Sequence, residues 1–186
     1  MMKPLLYLDV DGPLNPFGAK PEKRPAGYET HRLMPAEWLA RHPNTPPERV
    51  TPLRVWLNTE HGPRLLALAG VFELVWATTW EHEANAMIGP LIGLPELPVV
   101  EWDDRPRLNV SGTYWKTPQL IDHAAGRPFA WVDDCITRRD REYVDCYHDG
   151  PALLRYVDPA KGLLDDDFTT LEAWGTCQSG VAGSAA

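Results

Sequence analysis

Short apolar runs recur along this chain, and between them apolar residues fall at helical spacing. Residues 5–8, 72–77, 97–100, 129–132 and 153–157 form mainly apolar runs of central-strand length, each bounded by Gly, Pro or charge. Four segments between them read as helices. Residues 60–69 end at Gly70, 80–88 at Gly89-Pro90, 114–125 at Gly126 with Pro128 beyond, and 137–147 near Gly150-Pro151. A glycine after the last turn is a common helix stop because it adopts the left-handed conformation at little cost. Strands alternating with helices predict an α/β protein whose parallel sheet, of about five strands, is covered by helices on both faces.

Residues 16–52 break this rhythm. They are rich in proline and charge, with the cluster His42-Pro43-Asn44-Thr45-Pro46-Pro47 near the end, and proline is excluded from the interior of a regular element. Strand-like residues lie on either side, at 28–34 and 53–58, which predicts a small β-hairpin flap within an insertion spanning about residues 16–58. The stretch 177–186 is small and polar, and is expected to be a disordered tail on a single domain of residues 1–176.

With 186 residues, the chain is long enough for one domain with a sizeable core. A net charge of -8 argues against non-specific nucleic-acid binding, which needs a basic surface, but leaves room for a local basic pocket. The cysteines Cys135, Cys146 and Cys177 have neither the pairing nor the spacing of a disulfide framework or a zinc site. They are expected to be reduced and mostly buried, in a cytoplasmic protein. No apolar run approaches the length needed to span a bilayer.

In open α/β sheets, ligands bind beyond the C-terminal ends of the strands. The residues that follow the runs are therefore the candidates for chemistry. Asp9 and Asp11 follow the first run, Thr78 and Thr79 the second, and Asp133 and Asp134 the fourth, while Lys116 opens the helix before the fourth. Residues two apart at a strand end project toward the same side, so Asp9 and Asp11 repel each other. A divalent cation or a raised pKa on one partner relieves that repulsion, and either makes this strand end a candidate site. Each residue also has a plainer use: an Asp-Gly turn, a threonine cap near Trp80, a solvated lysine, an acidic cap for the helix near Thr137. Trp76 and Trp131 read as core. Trp80 and Trp115 adjoin the candidates, and either line a pocket or pack beneath the flap.

Asp-x-Asp-Gly after the first strand, Thr after the second, Lys at a helix start and Asp-Asp after a later strand, in that order over residues 5–134, resemble the four motifs of the haloacid dehalogenase (HAD) superfamily. The resemblance implies a Rossmann-like, HAD-like fold and a Mg²⁺-dependent phosphomonoester hydrolase (a phosphatase) that works through an aspartyl-phosphate. It implies Asp9 as the nucleophile, and Asp11 as general acid and then general base, with its backbone carbonyl on the metal. Thr78, or Thr79 one position on, would bind a phosphoryl oxygen, and Lys116 would neutralise charge on the phosphoryl group and on Asp9. Asp133 and Asp134 would complete the Mg²⁺ site with Asp9 and Asp11, Asp134 being the favoured direct ligand. Hard carboxylate donors suit Mg²⁺, and the soft ligands of zinc or copper are missing from the set.

Other functions compete. A carbon–halogen hydrolase is disfavoured because halide needs no protonation and Asp11 is present. A phosphate- or nucleotide-binding protein without turnover, a phosphotransferase and a nucleic-acid-end phosphatase are the alternatives. The stretches between motifs are too short for a large helical cap. The mouth is therefore expected to be open to a phosphorylated small molecule or macromolecular end, with no membrane partner.

Overall fold

The structure is a computed structural model that describes residues 2–103 and 112–181. In chain order its elements are β1 (Leu5–Leu8), β2 (Glu29–Leu33), α1 (Ala36–Ala40), β3 (Leu53–Leu57), α2 (His61–Leu68), β4 (Glu73–Trp76), α3 (Gly89–Ile92), α4 (Lys116–Ala124), β5 (Phe129–Asp133), α5 (Arg138–Tyr147), β6 (Ala152–Tyr156) and α6 (Asp165–Val181). Strands β4, β1, β5 and β6 pair in that order as a four-stranded parallel sheet flanked by helices. Strands β2 and β3 form a separate antiparallel pair, in register from Glu29 opposite Leu57 to Leu33 opposite Leu53.

Burial on both faces of the sheet explains the uninterrupted apolar runs. Successive residues of a strand point to opposite faces. Leu6, Leu8, Leu74, Trp76, Ala130 and Val132 pack with Leu65 and Leu68 of α2, Ile92 of α3, and Phe168 and Leu171 of α6. Leu5, Tyr7, Val75, Phe129, Trp131 and Leu154 pack on the other side with Leu120 and Ala124 of α4 and Val144 of α5. Trp76 and Trp131 are fully buried, as their place in the runs predicts. Val55 and Leu57 carry the antiparallel pair into the first of these clusters.

The structure departs from the sequence expectations in several places. The run at 97–100 is not a fifth strand. It meets β4 in a single bridge, Trp76 opposite Val99, because Pro98 has no N–H to donate to a ladder. The helix expected over 80–88 starts only at His82, after a turn, and becomes π-helical over Ala84–Ile88 before running directly into α3. Glu81, with φ of 45°, breaks the right-handed path there, and Pro90 sits where a helix start tolerates it. Helix α6 was not expected. Its signals are three consecutive acids in the first turn, where the helix dipole favours negative charge, and apolar residues at 168, 171 and 174. It continues to Val181, so residues 177–181 are helical where a tail was expected; residues 182–186 lie outside the described residues. All three cysteines are exposed, not buried. No helix among the described residues is long and apolar enough to cross a membrane.

His61, at the start of α2, is buried at 3% exposure, edge-on to Tyr28 and against Phe168. Burial, helped by the Arg64 charge, pushes its imidazole down to about 4 from an ordinary 6.5. The unfolded chain then binds a proton between these values that the folded chain refuses, so stability rises with pH from about 4 to 6.5. Urea unfolding of wild type and His61→Gln across this range should show a contribution of about 2–3 kcal/mol to the slope that the variant lacks. Parallel curves for the two proteins would refute the assignment.

Candidate active site

The order β4, β1, β5, β6 places the first strand between the second and third strands of the sheet, so the chain reverses direction across the sheet at β1. Side chains that follow β1 and its neighbours converge in the crevice at that point. The ladder continues past the strands: Ala77 N–H donates to Leu8 O at 2.8 Å and Asp9 N–H to Val132 O at 3.1 Å. Asp9 thus lies between the segment leading to Thr78 and the end of β5. A tight turn follows, with Leu14 and Asn15 N–H both donating to Val10 O. Gly12 is required twice in this turn. Its φ is +94°, and a Cβ on it would stand 2.6 Å from Cβ of Asp134. The N-terminal acidic loop therefore lies against the later acidic doublet.

Lys116 joins them. It is the first residue of α4 and has no exposed surface. Its ammonium lies 2.9 Å from Asp9 Oδ2 and 2.8 Å from Asp133 Oδ2. The rings of Tyr114 and Trp102 flank it, at 5.5 and 6.0 Å from the nitrogen. Desolvation alone lowers a lysine pKa, but the charges of Asp133 and Asp9 outweigh it and hold the ammonium above its usual range. The plain solvated lysine is thereby excluded.

The remaining oxygens of these acids are engaged as well. Asp9 Oδ1 accepts from Val10 N–H at 2.8 Å, and Asp133 Oδ1 from Cys135 N–H at 2.8 Å. Asp11 accepts from the Asn15 amide at 2.7 Å on one oxygen and from the Trp80 indole N–H at 2.9 Å on the other. Burial, and then the charge of Asp9, push its carboxyl up; the two donors only partly oppose this.

Thr78 is fully buried, and its hydroxyl accepts from Trp80 N–H at 3.3 Å, which leaves the hydroxyl proton available to donate. Its carbonyl accepts from the Trp102 indole at 2.9 Å. Thr79 is half-buried and faces a cleft that Asp11 and Trp80 also line. The two threonines therefore divide, Thr78 inward and Thr79 outward.

Comparison with known protein families, curated proteins and solved structures gives no match.

Asp133, Asp134 and Cys135 present possible ligand atoms within 4.8 Å of one another; Asp9 and Asp11 do not belong to that group. Partial desolvation at its edge of the site, with the Asp133 and Asp134 charges, pushes the Cys135 thiol up to about 12, so it stays protonated and is a poor ligand. Asp133 has both oxygens committed, and Asp134 is the less encumbered of the doublet. Burial, with the charge of Asp9, pushes Asp134 up to about 6. Neither acid caps α5. That helix has its own capping box, in which Thr137 accepts from Asp140 N–H and Asp140 accepts from Thr137 N–H.

Two carboxylates thus pair with one buried ammonium, and Asp11 and Asp134 lie close enough to feel its charge. The excess negative charge, and the upward push on both Asp11 and Asp134, fit a hard dication held by oxygen donors. Three supporting residues went unrecognised in the sequence. Asn15 was legible only as part of a turn, although its place four residues after Asp11 in a tight loop is the signal. Trp80 was read as pocket or packing, and it holds the acid. Trp102 carried no local signal, because its partner Thr78 is 24 residues away.

Removing Lys116 strands two buried carboxylates. Lys116→Met should destabilise the metal-free protein by about 3–5 kcal/mol at pH 7.5. Without the ammonium, the Asp133 carboxyl, which burial already raises, moves further above its unfolded value, so the deficit should shrink as the pH falls toward 5. Denaturant melts at the two pH values check this; a small, pH-independent loss would show that the ion pairs contribute little.

Proposed function

We propose that the chain is a Mg²⁺-dependent phosphomonoester hydrolase that passes through an aspartyl-phosphate, with the chemistry of the haloacid dehalogenase superfamily that its motifs resemble. The observation that supports this best is Lys116 held between Asp9 and Asp133, with Asp11 fixed beside them by Asn15 and Trp80. Residues from four separated motifs lie at the same end of the sheet, after β1, β4 and β5 and at the start of α4, with the residue types that phosphoryl transfer needs, a reaction governed by positioning and charge neutralisation.

In the first step, Asp9 attacks phosphorus, the bond from phosphorus to the leaving oxygen breaks, and the Asp11 proton passes to that oxygen. Lys116 and Val10 N–H fix the orientation of the Asp9 carboxylate. The raised pKa of Asp11 is the direction a general acid requires near neutrality. In the second step, Asp11, now ionised, takes a proton from water as its oxygen attacks phosphorus, and the Asp9 carboxylate is regenerated with release of phosphate. The Thr78 hydroxyl donates to a phosphoryl oxygen, and the Lys116 ammonium offsets its charge. Asp9, the Asp11 carbonyl and Asp134 would hold Mg²⁺, which supplies positive charge to the transferring group when bound. The β2–β3 pair serves as the flap over this mouth.

Asp9→Asn should eliminate detectable turnover of phenyl phosphate in Mg²⁺ while leaving the fold intact by circular dichroism. Asp11→Asn should slow turnover by about 10²–10⁴-fold, the usual contribution of a general acid–base. Chelation with EDTA should stop the wild-type reaction and added Mg²⁺ should restore it. Full activity in Asp9→Asn, or in metal-free protein, would reject the proposal.

A further inference from the structure

Beside the buried acids, a cleft of about 260 Å³ opens between the β2–β3 pair, the α1 segment and the turn that carries Thr79 and Trp80. Asp11 lines it; Asp9, Lys116 and Asp133 do not. On the phosphatase reading, Asp11 gives its proton to the departing oxygen, so this cleft is where the leaving group lies.

The walls say what kind of leaving group fits. Phe17, Trp38, Leu53 and Trp80 supply apolar and aromatic surface, and Arg54 supplies a cation. Trp80 is pinned through its indole N–H to Asp11, and Trp38 through its own to Thr51 O at 2.9 Å, so both rings are held in place. Fixed aromatic faces stack well on planar rings. Of the other charges on the wall, Glu37 pairs with Arg41 at 2.9 Å, while Glu83 accepts from Ala36 N–H at 2.8 Å and keeps its negative charge on the side of the cleft that carries Trp80. Arg54 stacks on Trp56 at 3.8 Å and has no carboxylate partner among the described residues. Directly across the antiparallel pair, its register partner is another arginine, Arg32. Like charges opposite one another on a ribbon are destabilising, and a bound anion relieves them. In a chain of net charge -8, this is a local cationic spot beside aromatic walls.

We propose that the cleft selects phosphomonoesters whose leaving group carries both a planar aromatic ring and a second anionic group, with the ring against Trp38 and Trp80 and the anion on Arg54. A nucleoside bisphosphate and the phosphorylated end of a short oligonucleotide share this chemistry. The choice of scissile phosphate rests on the phosphatase reading; recognition by the cleft does not.

The test measures kcat/KM for four esters: a nucleoside 3′,5′-bisphosphate with ring and second anion, phenyl phosphate with the ring alone, 3-phosphoglycerate with the anion alone, and glycerol 1-phosphate with neither. The bisphosphate should exceed each of the others by about tenfold or more, the margin of one good contact. Arg54→Gln should collapse the bisphosphate-to-phenyl phosphate ratio, and Trp38→Ala the bisphosphate-to-3-phosphoglycerate ratio. A merely structural loss lowers all four rates together and leaves the ratios where they were, which overturns the proposal, as do wild-type ratios near one. A 5′-phosphorylated tetranucleotide run beside the bisphosphate shows which source of the shared chemistry is preferred, and either preference sustains the proposal if Arg54→Gln abolishes it. If no ester is turned over, the phosphatase reading fails by itself. The cleft is then judged by tryptophan fluorescence titration with the nucleoside bisphosphate. Saturable binding that Arg54→Gln loses upholds it, and no saturable binding refutes it.

Discussion

An ammonium with no exposed surface, held between two carboxylates, sets the terms for everything around it. Taking a lysine out of water is costly, and one ion pair rarely recovers that cost. Here Asp9 and Asp133 both contact Lys116, and each has its other oxygen on a backbone N–H, so the buried charges are matched by short, directed bonds. The same contacts fix three pieces of backbone to one another: the end of β1, the end of β5 and the first turn of α4. The sheet order brings these pieces near; the ion pairs decide the relative placement of their side chains. Because one ammonium satisfies only two acids, Asp11 and Asp134 are left with surplus negative charge nearby. Their upward-shifted carboxyls follow from that imbalance together with burial.

Much of this was legible from residue order alone. A parallel sheet buried on both faces needs continuous apolar runs, and four of the five runs are strands. The candidates for chemistry could be named because strand ends follow directly from those runs, and a strand end has a known place in an α/β sheet. The run at 97–100 is apolar enough for a strand, but Pro98 lacks the N–H that a ladder needs, and pairing stops at one bridge. The segment at 80–88 is helical only from residue 82 onward, after Glu81 has turned the chain into the left-handed region. Helix α6 was passed over because its small and polar C-terminal half resembles a tail, while Phe168, Leu171 and Trp174 anchor its first half.

Apart from Asn15, which sits four residues after Asp11, the parts of the site that are not legible in the sequence depend on contacts across long separations. Trp102 reaches Thr78, Trp80 reaches back 69 residues to Asp11, and the cleft is assembled from four segments. None of these has a local signature: an indole in an amphipathic stretch looks the same whether it packs or donates a hydrogen bond. Lys116 is the instructive case on the other side. As a single residue it looked ordinary, and only its place at a helix start, next to a strand carrying two acids, marked it.

Asn15 deserves a last consideration. Its amide nitrogen donates to Asp11 while its amide oxygen accepts from Trp56 N–H in β3, at 2.7 and 3.0 Å. One planar group thus couples the acid to the antiparallel ribbon like a short tie-rod. Any displacement of the ribbon that pulls this amide away removes a donor from Asp11, and a carboxyl that loses a donor holds its proton more tightly. The acidity of the loop is therefore tuned mechanically, by the posture of a strand that carries none of the acids itself.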